Sequence, residues 1–204
     1  KGNVAIMIGN LTDAGALQRT KDVEQVVAKY PAMKVVQKQP ANYSRSEGMD
    51  LMQNWTGNGE AIDIVAANND EMAIGAAMAL EKSQKKLLIG GIDATPDGLK
   101  ALASDKIQVT VFQDAVGQGK TALAVALKLI KGEKVESHVW IPFELVTKEN
   151  MQTYVEKNRS HFSEIGRKQL RECLEHNSAL PEFTEVKSVL EGIQALFEKF
   201  ALVG

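Results

Sequence analysis

From Gly2 to Gln113 the chain alternates short β-branched runs with amphipathic stretches. This alternation is the signature of successive βαβ units around a parallel sheet. The runs predict strands over Asn3–Ile8, Met33–Lys38, Ile62–Ala66, Lys86–Ile92 and Gln108–Gln113. Several are apolar on both faces, as expected when helices cover both sides of a sheet. Between them Ala16, Thr20, Val23, Val27 and Tyr30 recur at helical spacing, as do Met72, Ala73, Ala76, Ala77 and Leu80. Asn69 followed by Asp70 and Glu71 reads as an N-cap with acidic residues in the first turn, where the helix dipole favours them. The expected fold is α/β, a parallel sheet sandwiched by helices. Right-handed crossovers place every strand-to-helix turn on one edge of such a sheet, the edge where open α/β folds bind ligands.

The pattern changes beyond Gln113. A helix is expected from about Val116 to Ile130, ending at Lys131 and Gly132, and then a β-branched and aromatic run from His138 to Val146. Pro142 interrupts that run, so its strand should lie at an edge or at a crossing between lobes. Two helical stripes close the chain: Phe162, Ile165, Gln169 and Cys173, then Val186, Val189, Leu190, Ile193, Phe197 and Phe200, with a turn over Asn177–Pro181. They predict a C-terminal α-helical hairpin. Three segments follow: an α/β ligand-binding lobe over residues 1–113, a hinge-crossing helix and strand over 114–154, and a helical hairpin tail over 155–204.

Composition narrows the chemistry. Hydrophobic residues at 44% and charged residues at 25% match a globular protein with a real core. The net charge of −2, with lysines and arginines scattered, provides no field for nucleic acid. A single cysteine, Cys173, excludes an internal disulfide, and with three scattered histidines it leaves no metal-ligand spacing. No cofactor and no metal are expected. No apolar run approaches the roughly 20 residues that span a bilayer.

Four polar residues stand at the predicted turn edge: Arg19, Asn69, Asp93 and Gln113. A guanidinium, two amides and a carboxylate are planar, multidentate partners for the hydroxyls of a sugar-like ligand. Arg19 lies only about 40° off the buried stripe of its helix, where it could equally form a surface ion pair. Asn69 could serve as a cap alone. Asp93 directly follows an apolar strand, and Thr95, Pro96, Asp97 and Gly98 form the turn that starts the next helix.

The stretch DAVGQGKT from Asp114 to Thr121 approaches the phosphate loop G-x-x-x-x-G-K-[ST]. Asp114 replaces its first glycine and would face the phosphates. The competing reading is a helix start in which Gly117 and Gly119 allow close packing. No local signature marks a Ser/His/Asp or Cys/His arrangement, Cys173 reads as an inert thiol among apolar neighbours, and neither His138 nor Glu144 has a catalytic partner. Enzymatic chemistry is not expected.

Several segments in the same order resemble one family. QRTKDVEQVV, QPANYSRSEGMDLMQNW, AANNDEMAIGAAMAL, GGIDATPDG, the VFQ around Gln113 and KLIKGEKV are similar to the later part of periplasmic ribose-, allose- and inositol-binding proteins that serve ABC importers, from Gly2 to about Tyr154. The resemblance implies a lobe of the type I periplasmic binding protein fold. It also implies a monosaccharide or cyclitol ligand, ABC transporter membrane subunits as partners, and a periplasmic location. By the same resemblance the family's sugar-contacting arginine falls on Arg19, its capping asparagine on Asn69, its strand-end aspartate on Asp93, its hinge glutamine on Gln113 and its stacking aromatic on Tyr43. Asn10 stands at an early contact position that is apolar in ribose binders, either as a further hydroxyl partner or as the start of a turn. Ile92 replaces a phenylalanine wall of the ribose binders. Together these departures favour a more hydroxyl-rich hexose or cyclitol over ribose.

The resemblance further implies that the family's first lobe is missing from the front of this chain, which leaves half of a hinged clamp. The segment Asp114–Phe143 would belong largely to that lobe and would present uncovered apolar faces. The tail from Val155 has no counterpart in the family, and its stripes would either cover that surface or pair two copies as a homodimer. Two other readings remain open at this point. One is the effector-binding domain of a LacI-type transcriptional regulator, which shares the fold, and the other a truncated lobe that self-associates without ligand.

Overall fold

The computed structural model describes residues 2–81, 83 and 85–161. Its centre is strand β1 (Gly2–Ile8), flanked in parallel by β2 (Met33–Pro40) and β3 (Ile64–Ala67), with β4 (Leu88–Gly90) parallel beyond β3. β5 (Thr110–Phe112) continues the series through isolated parallel bridges, Gly90 to Val109 and Asp93 to Phe112. The spatial order β2-β1-β3-β4-β5 is that of a doubly wound sheet, and its order reverses between β1 and β3. Helices α1 (Ala14–Val27), α2 (Arg45–Gly57), α3 (Asp70–Leu80) and α4 (Pro96–Ala103) connect these strands.

β1 shows why the fold has two cores. Every residue from Val4 to Ile8 is buried, and their side chains alternate between faces. Val4, Ile6 and Ile8 pack with Ala16 and Val27 of α1, whereas Ala5 and Met7 join the larger cluster containing Met52, Trp55, Met72, Leu99 and Leu102. The central strand β1 is thus covered on both sides. Side chains also cap the helix starts: Asp13 accepts from Gly15 and Ala16 of α1, Ser44 from Glu47 of α2, Asn69 from Met72 of α3, and Thr95 from Gly98 of α4.

The structure corrects several boundaries. The run expected as a strand over Lys86–Ile92 forms ladder pairs only over Leu88–Gly90. The following residues Asp93 and Ala94 have φ of 124° and 52°, and this turn breaks the pairing with β5 into isolated bridges. The run from His138 to Val146 forms only a short strand, β6 (Glu144–Val146), which begins after Pro142 and pairs antiparallel with β5. Proline's missing donor accounts for the late start.

Two compact units divide the chain. Among the described residues, the first contains Gly2–Gln113 and Pro142–Val155, and the second Asp114–Ile141 and Glu156–His161. The second unit holds α5 (Ala115–Ile130), in which none of the described residues is buried. Trp140, in the same unit, is exposed. At the start of α5 the Asp114 carboxylate accepts from Gly117 N at 2.7 Å, so the chain's own anion fills the place a phosphate would need. Helix α6 (Met151–His161) ends the described structure. The expected hairpin stripes from Phe162 to Phe200, Cys173 among them, lie outside the described residues. Among the described residues, no helix is long and apolar enough to cross a membrane.

Candidate ligand-binding site

The carboxyl ends of β1 and β3 form the crevice where the strand order reverses, and the candidate residues gather there. β3 runs into Asn68 and Asn69, both buried. The Asn68 side-chain oxygen accepts from Gly9 N at 3.0 Å and Thr20 Oγ1 at 3.2 Å, tying the end of β1 to α1. Its backbone carbonyl accepts from Arg19 Nη1 at 2.7 Å, while Arg19 Nη2 donates to Gln113 Oε1 at 2.6 Å. The same guanidinium lies 3.7 Å from the Asp93 carboxylate. Residues 94 positions apart in sequence are therefore joined by one side chain. With side chains 18% and 28% exposed, Arg19 and Asp93 form a partly buried pair.

The ion pair is longer than a hydrogen bond because the Arg19 Nη groups serve Asn68 and Gln113. Burial accordingly pushes the Asp93 carboxyl up to about 7 despite Arg19, and the acidic Asp70 and Glu71 push the same way. Asp93 thus stands in the sparsely populated left-handed half of φ space, half-desolvated and facing a cation. Such strain is a recurrent mark of ligand sites.

Tyr43 forms another wall. With φ of 60° it follows Asn42 at 49°, and its ring lies directly over Gly9. A Cβ at Gly9 would fall 2.2 Å from the ring, so a larger residue there would displace Tyr43 from this position. The Tyr43 hydroxyl donates to the Asp13 carboxylate, which already caps α1. Burial first, and then Asp13, pushes the Tyr43 phenol up to about 12. The same hydrogen bond, with a smaller contribution from Gly15 N–H, holds the Asp13 carboxyl below its usual range. Tyr43→Phe should therefore raise the Asp13 pKa toward its ordinary value while the ring stays in place. A carbon-detected NMR titration of the Asp13 side chain measures this, and an unchanged midpoint would contradict the assigned partner.

Asn69 does two things at once. Its oxygen accepts from Met72 N at 3.0 Å, and its Nδ2 donates to the Tyr43 carbonyl at 3.3 Å. Capping is therefore real, and the same residue braces the aromatic wall. Asn10 is exposed, and its side-chain oxygen accepts from Thr12 N at 2.9 Å and Thr12 Oγ1 at 2.7 Å, the geometry of a turn starter.

Sequence reasoning did not single out Asn68, Asp13 or Arg45. Arg45 pairs with Glu71 at 2.8 Å and Asp97 at 3.1 Å, linking the first turns of α2, α3 and α4 on the same edge. Asp70, read as a first-turn acid, is fully buried. Among the described residues, no group of three or more His, Cys, Asp or Glu could hold a metal ion. Guanidinium, carboxylate and amide groups converging beside an aromatic ring can bind vicinal hydroxyls and cover an apolar ring face.

Known proteins share this arrangement of fold. The sequence profile described as the periplasmic binding protein domain matches residues 1–134. A Rhizobium meliloti protein that carries the provisional name rhizopine-binding protein is 50% identical over 163 residues, covering 78% of this chain and 53% of that protein. The crystal structure of an ABC transporter solute binding protein from Bacillus halodurans with bound myo-inositol is 47% identical, with a TM-score of 0.74, covering 77% of this chain and 55% of that one. A periplasmic solute binding protein from Actinobacillus succinogenes with bound D-allose is 32% identical, with a TM-score of 0.71 and coverage of 76% and 56%. The chain spans about half the length of the relatives it matches. From the doubly wound sheet, the profile match and these relatives together, the chain belongs to the periplasmic binding protein domain family.

Proposed function

We propose that this chain binds a monosaccharide or cyclitol, without covalent chemistry, as part of the substrate-binding component of an ABC importer in the periplasm. The observation that carries the reading is the bridging of Asn68, Asp93 and Gln113 by the Arg19 guanidinium at the turn edge of the sheet. Arg19 and Asp93 supply charge-assisted hydrogen bonds to ligand hydroxyls. Asn69 and Gln113 fix orientation, Tyr43 stacks on the ring, and the Nδ2 group of Asn10 is free to turn toward a hydroxyl while its oxygen holds Thr12. Residues 1–113 are the ligand-binding lobe, and the ABC transporter membrane subunits are the partners. The relatives with bound myo-inositol and D-allose support a hydroxyl-rich ring as ligand.

Chemical-shift titrations of the chain with myo-inositol, D-allose, D-ribose and xylitol test the reading. Saturable shifts at Arg19, Asp93 and Gln113 with a cyclic polyol are expected, and no saturable shift with any of the four would refute it.

The raised pKa of Asp93 gives the binding a pH dependence. The folded chain holds the Asp93 proton more tightly than the unfolded chain does. This stabilises the fold fully below about 3.8, the ordinary value, and the contribution is lost as pH rises through about 7. Ligand binding runs the other way, since an ionised carboxylate accepts hydroxyl hydrogen bonds. With a midpoint of about 7, affinity should fall about tenfold from pH 8 to pH 6. In Asp93→Asn that dependence should vanish along with most of the affinity. A wild-type affinity that is flat over this range would contradict the role given to Asp93.

A further inference from the structure

The segment Asp93–Ala94–Thr95 presents the site's carboxylate in a conformation that L-residues disfavour, with φ positive at both Asp93 and Ala94. Strain of this kind persists only where the surroundings over-determine it. Each amide of the segment has a defined acceptor. Asp93 N donates to the Val111 carbonyl at 2.7 Å, Ala94 N to Thr110 Oγ1 at 3.2 Å, and Thr95 N to Asp70 Oδ2 at 2.8 Å. The Thr110 hydroxyl in turn donates to Asp70 Oδ1 at 2.6 Å, and the Thr95 hydroxyl reaches Asp70 Oδ2 at 3.3 Å. Two of the three amides therefore depend on Asp70, one directly and one through Thr110.

Neither Asp70 nor Thr110 exposes any surface, although an acid in a helix's first turn could favour the dipole while remaining in water. The fold instead makes room for it. A Cβ at Gly98 would lie 2.0 Å from Asp70 Oδ2, and one at Gly91 would lie 2.4 Å from Oδ1. Burying a carboxylate is costly unless its oxygens are satisfied. Here the donors that satisfy it belong to the turn bearing Asp93 and to the adjacent β5.

We infer that Asp70 is a positioning residue of the ligand site: its two oxygens, one directly and one through Thr110, hold the left-handed turn that aims the Asp93 carboxylate at Arg19 and the ligand. The ligand part of this inference rests on the function proposed above, whereas the turn geometry does not. Asp70 itself touches no ligand and acts through Thr95 and Thr110.

The test uses the full 204-residue chain and three variants, Asp70→Asn, Thr110→Val and Thr110→Ser. Valine keeps the shape of threonine and removes the hydroxyl, so it tests the relay even where Asp70→Asn fails to fold. Three-bond NMR couplings report the sign of φ at Asp93 and Ala94, and myo-inositol is the binding probe. Thr110→Val is expected to unfold cooperatively but to lose the positive-φ couplings, and to bind myo-inositol about tenfold more weakly or worse. Thr110→Ser, which keeps the hydroxyl, is expected to retain the couplings and to bind within about threefold of wild type, a rescue that mere packing would not produce. Unchanged couplings in Thr110→Val would overturn the inference, as would affinity within about twofold of wild type. If wild type shows no response to any polyol, the proposed function fails, and the couplings still decide the turn: their loss in both Asp70→Asn and Thr110→Val supports the role of Asp70, and their retention in a folded Asp70→Asn overturns it.

Discussion

Arg19→Ala is expected to weaken binding of myo-inositol by about 2 kcal/mol, or roughly thirtyfold, the scale of one charge-assisted hydrogen bond. The effect should be large, because the Arg19 side chain meets Asn68, Gln113 and Asp93 together. Its removal takes away the proposed ligand donor and the hydrogen bond to Gln113 Oε1, and it takes the counter-charge from Asp93. The Asp93 carboxyl, already held at about 7 by burial, should then rise further. Arg19→Lys should remain impaired, since an ammonium is a point charge and cannot place two forked donors on Asn68 and Gln113. Chemical-shift titration measures both variants. Affinity of Arg19→Ala within about twofold of wild type would contradict the role assigned to Arg19.

Gly75→Ala should produce the largest loss of stability. A Cβ at Gly75 would lie 2.1 Å from the Arg45 carbonyl oxygen and 2.8 Å from Met49 N, both backbone atoms of α2. Gly48 returns the contact, since a Cβ there would lie 2.8 Å from the Met72 carbonyl oxygen on α3. No rotamer change relieves such a clash, so the two helices would have to part. Alanine gains about 1 kcal/mol of helix propensity over glycine, and overpacking against backbone outweighs it. The expected net destabilisation is about 2 to 3 kcal/mol, lowering Tm by roughly 5 to 10 °C. Because α3 carries Asn69 and Asp70 at its start and Glu71 against Arg45, the site should loosen with it. Gly57→Ala is the control, as a Cβ there meets nothing within 4 Å. A Gly75→Ala chain that melts with wild type would show that this close approach is not required.

Much of this architecture was legible in the sequence because period-two and period-3.6 patterns report burial directly. β1 illustrates it: a run apolar at every position from Val4 to Ile8 has to be covered on both faces, and it is. The strand ends were less legible. Asp93 and Ala94 are ordinary residues in composition, and their left-handed conformation is imposed by Thr110 and Asp70, which are distant in sequence. For the same reason Lys86–Ile92 reads longer than its ladder. Helix α2 carried a readable signal in Ser44 followed by Glu47, the pattern of a capping box, and Ser44 does accept from Glu47 N.

The site divides along similar lines. Arg19, Asp93 and Gln113 are side chains whose chemistry invites a ligand, and the folded chain brings them together. Asn68 and Asp70 were missed as supports, because the asparagine and aspartate flanking a capping residue look like the rest of a helix start. Only the three-dimensional crossing of β1, α1 and β5 gives them their partners. Asn10 shows the converse, a position singled out by resemblance whose oxygen is used within its own turn.

A crystal structure of the chain with myo-inositol is the most direct measurement. One ring should sit at the carboxyl ends of β1 and β3, with hydroxyls within hydrogen-bonding distance of both the Arg19 guanidinium and the Asp93 carboxylate and one face against Tyr43. A polyol bound elsewhere, touching neither charged group, would contradict the account.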